Sequence, residues 1–124
     1  MITLKRQIGN LGEKLAEEYL KKKGYKVIGR NYFWRGGEID LIAEDGEALV
    51  FIEVKTRIEI QCNCHSCPEK AVDYSKQKKL FKTAQKYLQD YKGSLKNYRL
   101  DVISIEIDKK TRKVKIRQFE NVFY

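Results

Sequence analysis

Apolar positions along the chain follow two different periods. From residue 7 to 23, Ile8, Leu11, Leu15 and Tyr19 recur at three- and four-residue spacing and Gly24 follows, which predicts an amphipathic helix and its stop. Segment 75–91 repeats the pattern. Leu80, Phe81, Ala84, Tyr87, Leu88 and Tyr91 form one stripe, and Lys78, Lys79, Lys82 and Lys86 fall opposite it. Elsewhere the apolar residues alternate or run together. "YKVIG", "EIDLIA" and "ALVFIEVKTR" read as strands, and the last two are joined by "EDGE", whose Asp45-Gly46 pair is a strong hairpin signal. "YRLDVISIEI" and "VKIRQF" add two strands around the polar turn "DKKTRK". The predicted order is αβββαββ, an α/β fold with a mixed central sheet flanked by helices. With 124 residues and no repeat or linker, this is one domain, residues 1–124.

Acids inside the apolar strands change the picture from fold to chemistry. Side chains alternate across a strand, so Glu53 and Lys55 share a face with Phe51, while Val50, Ile52 and Val54 take the other. By the same rule Asp40 faces with Glu38 and Ile42, and Ile39 and Leu41 point away. The predicted hairpin lets Asp40 meet Glu53 and Lys55 at one end of the sheet. Alternating charges usually form a solvated ladder whose pairs contribute roughly 0–1 kcal/mol each. Here Ile42, Leu49 and Phe51 share the face, and partly buried acids prefer a cation that keeps them ionised. Asp40 and Glu53 offer the oxygens that a hard cation such as Mg²⁺ (or Mn²⁺) takes together with water and phosphate oxygens. Lys55 is placed to stabilise charge on an attacked phosphate or to orient the attacking water.

Net charge names the partner class. A formal charge of +9 concentrates polyanions, nucleic acid first among them. Lys78, Lys82 and Lys86 on one helical face suit a phosphate backbone contacted without base readout. No apolar run is long enough to span a bilayer and the N-terminus lacks a signal-peptide core, so the expectation is a soluble cytoplasmic protein with no membrane partner.

"GEIDLI", followed by "EVK" with Glu53 thirteen positions after Asp40, resembles the D…(E)xK signature of PD-(D/E)XK nucleases, and the element order is similar to their restriction-endonuclease-like core. More narrowly, "GNLGEKLAEEYLKKKGYKVIGRNY", "GEIDLIAEDGEALVFIEVKTR", "AVDYSKQKKLFKTAQKYL" and "YRLDVISIE" resemble the YraN-like family of small bacterial proteins, relatives of Holliday-junction resolvases. The resemblance implies a metal-dependent nuclease in which Asp40 and Glu53 hold the metal, Lys55 assists phosphodiester attack and Glu13 of the first helix completes the site. It also draws Lys76 and Gln77, at the start of the second helix, toward the substrate phosphate, although a plain helix-start pair reads as well. Arg99 and Asp101 match a family block, and an ion pair stabilising the sheet is the favoured role.

Cys62, Cys64, His65 and Cys67 in "CNCHSCP" are four soft donors, a composition that suggests zinc. Structural zinc sites draw ligand pairs from separated segments, and one six-residue run would be strained into a tetrahedron. A loop with free or transiently oxidised thiols is the favoured reading, and here the chain departs from the family, whose loop is short. Tyr32, Phe33, Trp34 and Arg35 are expected in a loop that could pack into the core or stack on bases. Two functions stand at this point: a nuclease for structured or branched DNA, with RNA second, or a non-catalytic nucleic-acid-binding module or complex subunit that retains the pocket. A second copy of the chain is a further candidate partner.

Overall fold

The computed structural model describes residues 3–46, 48–59, 74–93 and 97–122, and the Cys62, Cys64, His65 and Cys67 run lies outside them. The elements are α1 (Leu4–Lys22), β1 (Lys26–Trp34), β2 (Gly37–Asp45), β3 (Ala48–Glu59), α2 (Tyr74–Asp90), β4 (Asn97–Asp108) and β5 (Val114–Phe119). This is the expected αβββαββ order. The five strands form one mixed sheet in the order β1-β2-β3-β4-β5, with β3 and β4 parallel and every other pair antiparallel.

Local chemistry sets the element ends. α1 begins at Leu4, three residues before the apolar pattern does, because the Thr3 hydroxyl accepts the Arg6 amide at 3.2 Å and caps the first turn. It ends in a Schellman motif, with Tyr25 N–H donating to Leu20 O and Gly24 N–H to Lys21 O, both at 3.0 Å. Asp45 pairs with Ala48, as its turn signal predicts.

The helices cover opposite faces of the sheet. Ala16 and Leu20 of α1 pack with Leu41, Ala43, Val50, Ile52, Ile103 and Ile105, whereas Leu80 and Ala84 of α2 pack with Ile39, Ile42, Leu49, Phe51, Leu100 and Val102. Both faces of the central strands are therefore core. Arg99 and Asp101 form the expected ion pair at 3.2 Å, and buried Asp101 also accepts from Gln118 Nε2 at 2.8 Å and the Asn121 amide at 2.9 Å. Every buried charge in that group has a partner, and the network ties β5 and the following turn to β4.

Three sequence expectations are corrected. Tyr32, Phe33 and Trp34 belong to β1, paired with Ile39, Glu38 and Gly37, so the loop shrinks to Arg35 and Gly36. Both of these have positive φ (46° and 81°), the geometry that closes a two-residue hairpin. On α2, Phe81 stays 41% exposed and Thr83 takes its place in the core, its hydroxyl donating to Lys79 O at 2.7 Å. On α1, Leu11 remains exposed, and the buried stripe runs one position later through Gly12, Ala16 and Leu20. Small residues are needed there because the helix lies close on β3: a Cβ at Gly12 would sit 1.8 Å from Thr56 Oγ1. Helix propensity alone makes Gly→Ala favourable by about 1 kcal/mol. The close approach reverses the sign, and Gly12→Ala is expected to destabilise by about 1–3 kcal/mol in urea denaturation. A stabilised variant would mean that the helix does not rest on Thr56.

Candidate active site

The sheet opens at one point, and the acids collect there. β2 keeps its pairing with β1 out to Trp34 and Gly37, but its ladder with β3 ends at Leu41 and Ile52. Beyond Ile52, β3 continues beside β4 alone. Asp40, the first β2 residue past the ladder, uses its carboxylate in place of a backbone carbonyl and accepts the Val54 amide on Oδ2 at 2.8 Å. The split fixes Asp40 to β3 through its side chain.

Strand alternation also breaks here. Ile39 and Ile42 belong to the core under α2, whereas Leu41 belongs to the core under α1. The expectation that Ile39 and Leu41 share a face is thus corrected. On β1 the matching irregularity is Asn31, in the left-handed region at φ 50°. Two successive residues from each strand, Arg30 with Asn31 and Asp40 with Leu41, line a cleft of about 430 Å³ together with residues of α1.

Glu13 reaches this cleft from α1, where Gly12 lets the helix approach the sheet. Carboxylate oxygens of Glu13, Glu38 and Asp40 lie within 4.8 Å of one another. Burial, then the Glu53 charge, pushes the Asp40 pKa up to about 8, with Glu13 and Glu38 adding to the rise and the Val54 amide opposing it. Burial also raises Glu13; the Asp40 side chain opposes that rise, while the Glu38 and Glu53 charges add to it. Like charges of this density ask for a cation.

Glu53 stands on the α2 side of the split, 8% exposed. Its Oε1 meets Lys76 Nζ at 2.9 Å and Lys55 Nζ at 3.4 Å. Burial, and the neighbouring Lys76, hold the Lys55 ammonium below the ordinary lysine range, with Glu53 pulling the other way. The sequence-predicted residues therefore form two adjoining groups: Glu13 with Asp40, and Glu53 with Lys55 and Lys76. Gln77 is half-buried at the start of α2, Lys78 and Lys82 are exposed, and Lys86 lies 3.6 Å from Asp90. Glu17, next along α1, is occupied otherwise. The Arg30 guanidinium, at 2.6 Å through Nη2, and Lys21, at 2.9 Å, hold its carboxyl at about 2.

Glu38 is the residue that sequence reasoning passed over as a ligand. Its signal was present, because it lies two positions from Asp40 on the same strand face. The donor set of Glu13, Glu38 and Asp40 is all carboxylate oxygen, which fits Mg²⁺ or Mn²⁺. An oxygen spread of up to 4.8 Å needs only a small inward rotation to meet metal–oxygen bonds of about 2.0–2.6 Å.

Residues 12–105 match the uncharacterised protein family UPF0102. The chain belongs to the UPF0102 family. It is 39% identical to a UPF0102 protein of Clostridium tetani, over 99% of this chain and 98% of that one. It is 41% identical to a UPF0102 protein of Carboxydothermus hydrogenoformans, over 95% and 96%. The expected YraN-like resemblance is met at the level of UPF0102, and the matched span holds the whole acid cluster. Among solved structures, Pyrococcus furiosus SfsA in complex with Ca²⁺ is similar with a TM-score of 0.43 and 17% identity, over 94% of this chain and 63% of that chain. Among the described residues, no helix is long and apolar enough to cross a membrane.

Proposed function

We propose that this UPF0102 protein is a metal-dependent nuclease of the PD-(D/E)XK type that hydrolyses phosphodiester bonds in structured or branched DNA, with RNA the second substrate class. The observation that carries this reading is the opening between β2 and β3, where Glu13, Glu38 and Asp40 converge within 4.8 Å and the Glu53–Lys55–Lys76 group adjoins them. Carboxylates beside ammonium groups suit a reaction in which a phosphate has to be both held and attacked.

In this reading Asp40 is the central metal ligand, with Glu13 and Glu38 beside it and Glu53 across the split. Bound there, Mg²⁺ or Mn²⁺ supplies polarisation of a phosphate oxygen and a lowered pKa for water. Lys55 carries the protein's own share of the chemistry. Its ammonium faces the phosphate and stabilises the charge that grows on the non-bridging oxygens as water adds to phosphorus and the P–O bond to the leaving oxygen breaks. Glu53 holds Lys55 in position, and Lys76 meets the same Oε1 and balances its charge. Exposed Lys78 and Lys82 extend the positive surface along α2 for neighbouring phosphates, and Lys86 contributes less because Asp90 lies beside it.

The test is a cleavage screen over duplex, flap, junction and RNA substrates with Mg²⁺ and with Mn²⁺. Incision of at least one substrate, abolished by EDTA, is expected. Binding without incision on every substrate would favour the non-catalytic module instead.

A further inference from the structure

Phe33 is 63% exposed in a stretch of β1 that is paired with β2. A single exposed phenylalanine is ordinary; its address here is not. Phe33 lies directly opposite Glu38 in the antiparallel β1–β2 ladder. Directly paired residues send their side chains to the same face with Cβ atoms about 4.5–5.5 Å apart. The exposed ring therefore stands next to a member of the acid cluster, on the face to which Glu13 and Asp40 belong.

The surroundings hold it there. The hairpin closes through Arg35 and Gly36, and on the opposite, α2-facing side the Arg35 guanidinium lies 4.9 Å from the Trp34 ring centre, which braces the tip. Gly37 seats the tip against α2, where an added Cβ would be 2.0 Å from Thr83 Oγ1. On the acid-cluster face the Arg6 charge acts on Glu13 from α1, so a positive group lies near the site. An aromatic face fixed beside a phosphate-type pocket, with a positive charge on the adjoining helix, matches the chemistry of a base that has left its partner strand. Stacking on an aromatic ring is tolerant of sequence, and Arg6 is the nearby cation for a neighbouring phosphate.

We propose that Phe33 is a stacking platform for an unpaired base adjoining the phosphate at the acid cluster, so that the substrate is nucleic acid with at least one unpaired nucleotide at the cut. This rests on the nuclease reading for its substrate, although binding can test it without cleavage. β1 is also an edge strand, which makes a second copy of the chain the competing occupant.

The experiment uses the full chain in EDTA, where metal-dependent cutting cannot intervene. Two DNA probes are compared by anisotropy: a flap with 2-aminopurine as the first unpaired base, and the fully paired duplex. Wild type is expected to bind the flap more tightly and to change 2-aminopurine fluorescence. Phe33→Ala should weaken flap binding about tenfold, remove the fluorescence change and leave duplex affinity as it was, while Phe33→Tyr keeps both signals. Equal losses on flap and duplex, or no loss on either, would overturn the platform. So would a concentration-dependent dimer, seen by sedimentation, that Phe33→Ala abolishes. The two readings fail separately. Flap-selective binding by a wild type that never cuts would sink the nuclease and keep the platform. Flap cutting that Phe33→Ala leaves unchanged would sink the platform and keep the nuclease.

Discussion

In EDTA at pH 8, Asp40→Asn is expected to be more stable than wild type, and Mn²⁺ is expected to raise the melting temperature of wild type alone. Asparagine copies the protonated aspartic acid. Its carbonyl can accept the Val54 amide, as Asp40 Oδ2 does at 2.8 Å, and its amide can turn its donors toward the neighbouring Glu13 carboxylate. What it lacks is the charge that burial and Glu53 oppose.

The sign of the pH dependence follows from the raised pKa. Below about pH 4 Asp40 is protonated in both folded and unfolded chains and contributes nothing either way. Between there and its folded value of about 8, the folded state holds a proton that the unfolded state has released, so stability falls as pH rises. At about 1.4 kcal/mol per unit of displacement, the metal-free protein gives up several kcal/mol across that window. Burial of Glu13 acts in the same direction. Glu17 runs the opposite way, because its carboxyl is held at about 2 and its stabilisation is lost only as pH falls toward that value. Melting curves from pH 5 to 8 in EDTA should therefore decline in wild type more than in Asp40→Asn. A cation would reverse the decline by taking the place of the proton. An equal Mn²⁺ shift in both proteins, or the same pH slope in both, would remove Asp40 from the metal centre.

Much of this architecture was legible because period and turn chemistry agree. Asp45-Gly46 sets the β2–β3 hairpin, and the hairpin brings Asp40 to the end of the ladder nearest Glu53. The failures have a common physical origin: alternation assumes that paired strands remain paired. β2 leaves β3 after Leu41, Asn31 adopts a left-handed backbone, and two consecutive side chains on each strand then face one cleft. Asparagine tolerates that conformation better than most residues, yet a lone Asn inside an apolar run gives no warning of it. The α1 stripe was displaced for a different reason, since Gly12 is buried through contact with Thr56, a residue distant in sequence. Lys76 was drawn toward a substrate phosphate by resemblance. That it pairs with Glu53 depends on how α2 crosses the sheet, which no local pattern encodes.

Lys55→Ala should lower single-turnover cleavage by about 100- to 1,000-fold while leaving the affinity for a branched DNA substrate close to that of wild type. That is the range lost when a single donor is removed from a site where charge develops in the transition state. Ground-state binding is spread over many lysines, so one ammonium matters little there and much when the phosphate gains charge. The fold should survive the substitution. Glu53 is buried and would be costly to leave unpaired, but Lys76 remains at 2.9 Å, closer than the 3.4 Å of Lys55. Lys55→Arg should rescue poorly, because a wide planar guanidinium does not replace a compact ammonium that has to reach both Glu53 and the phosphate. Cleavage at the wild-type rate by Lys55→Ala would remove the lysine from the chemistry. A matching loss of DNA affinity would make it a binding residue instead, and that outcome would move the task of charge stabilisation to Lys76, which also meets Glu53.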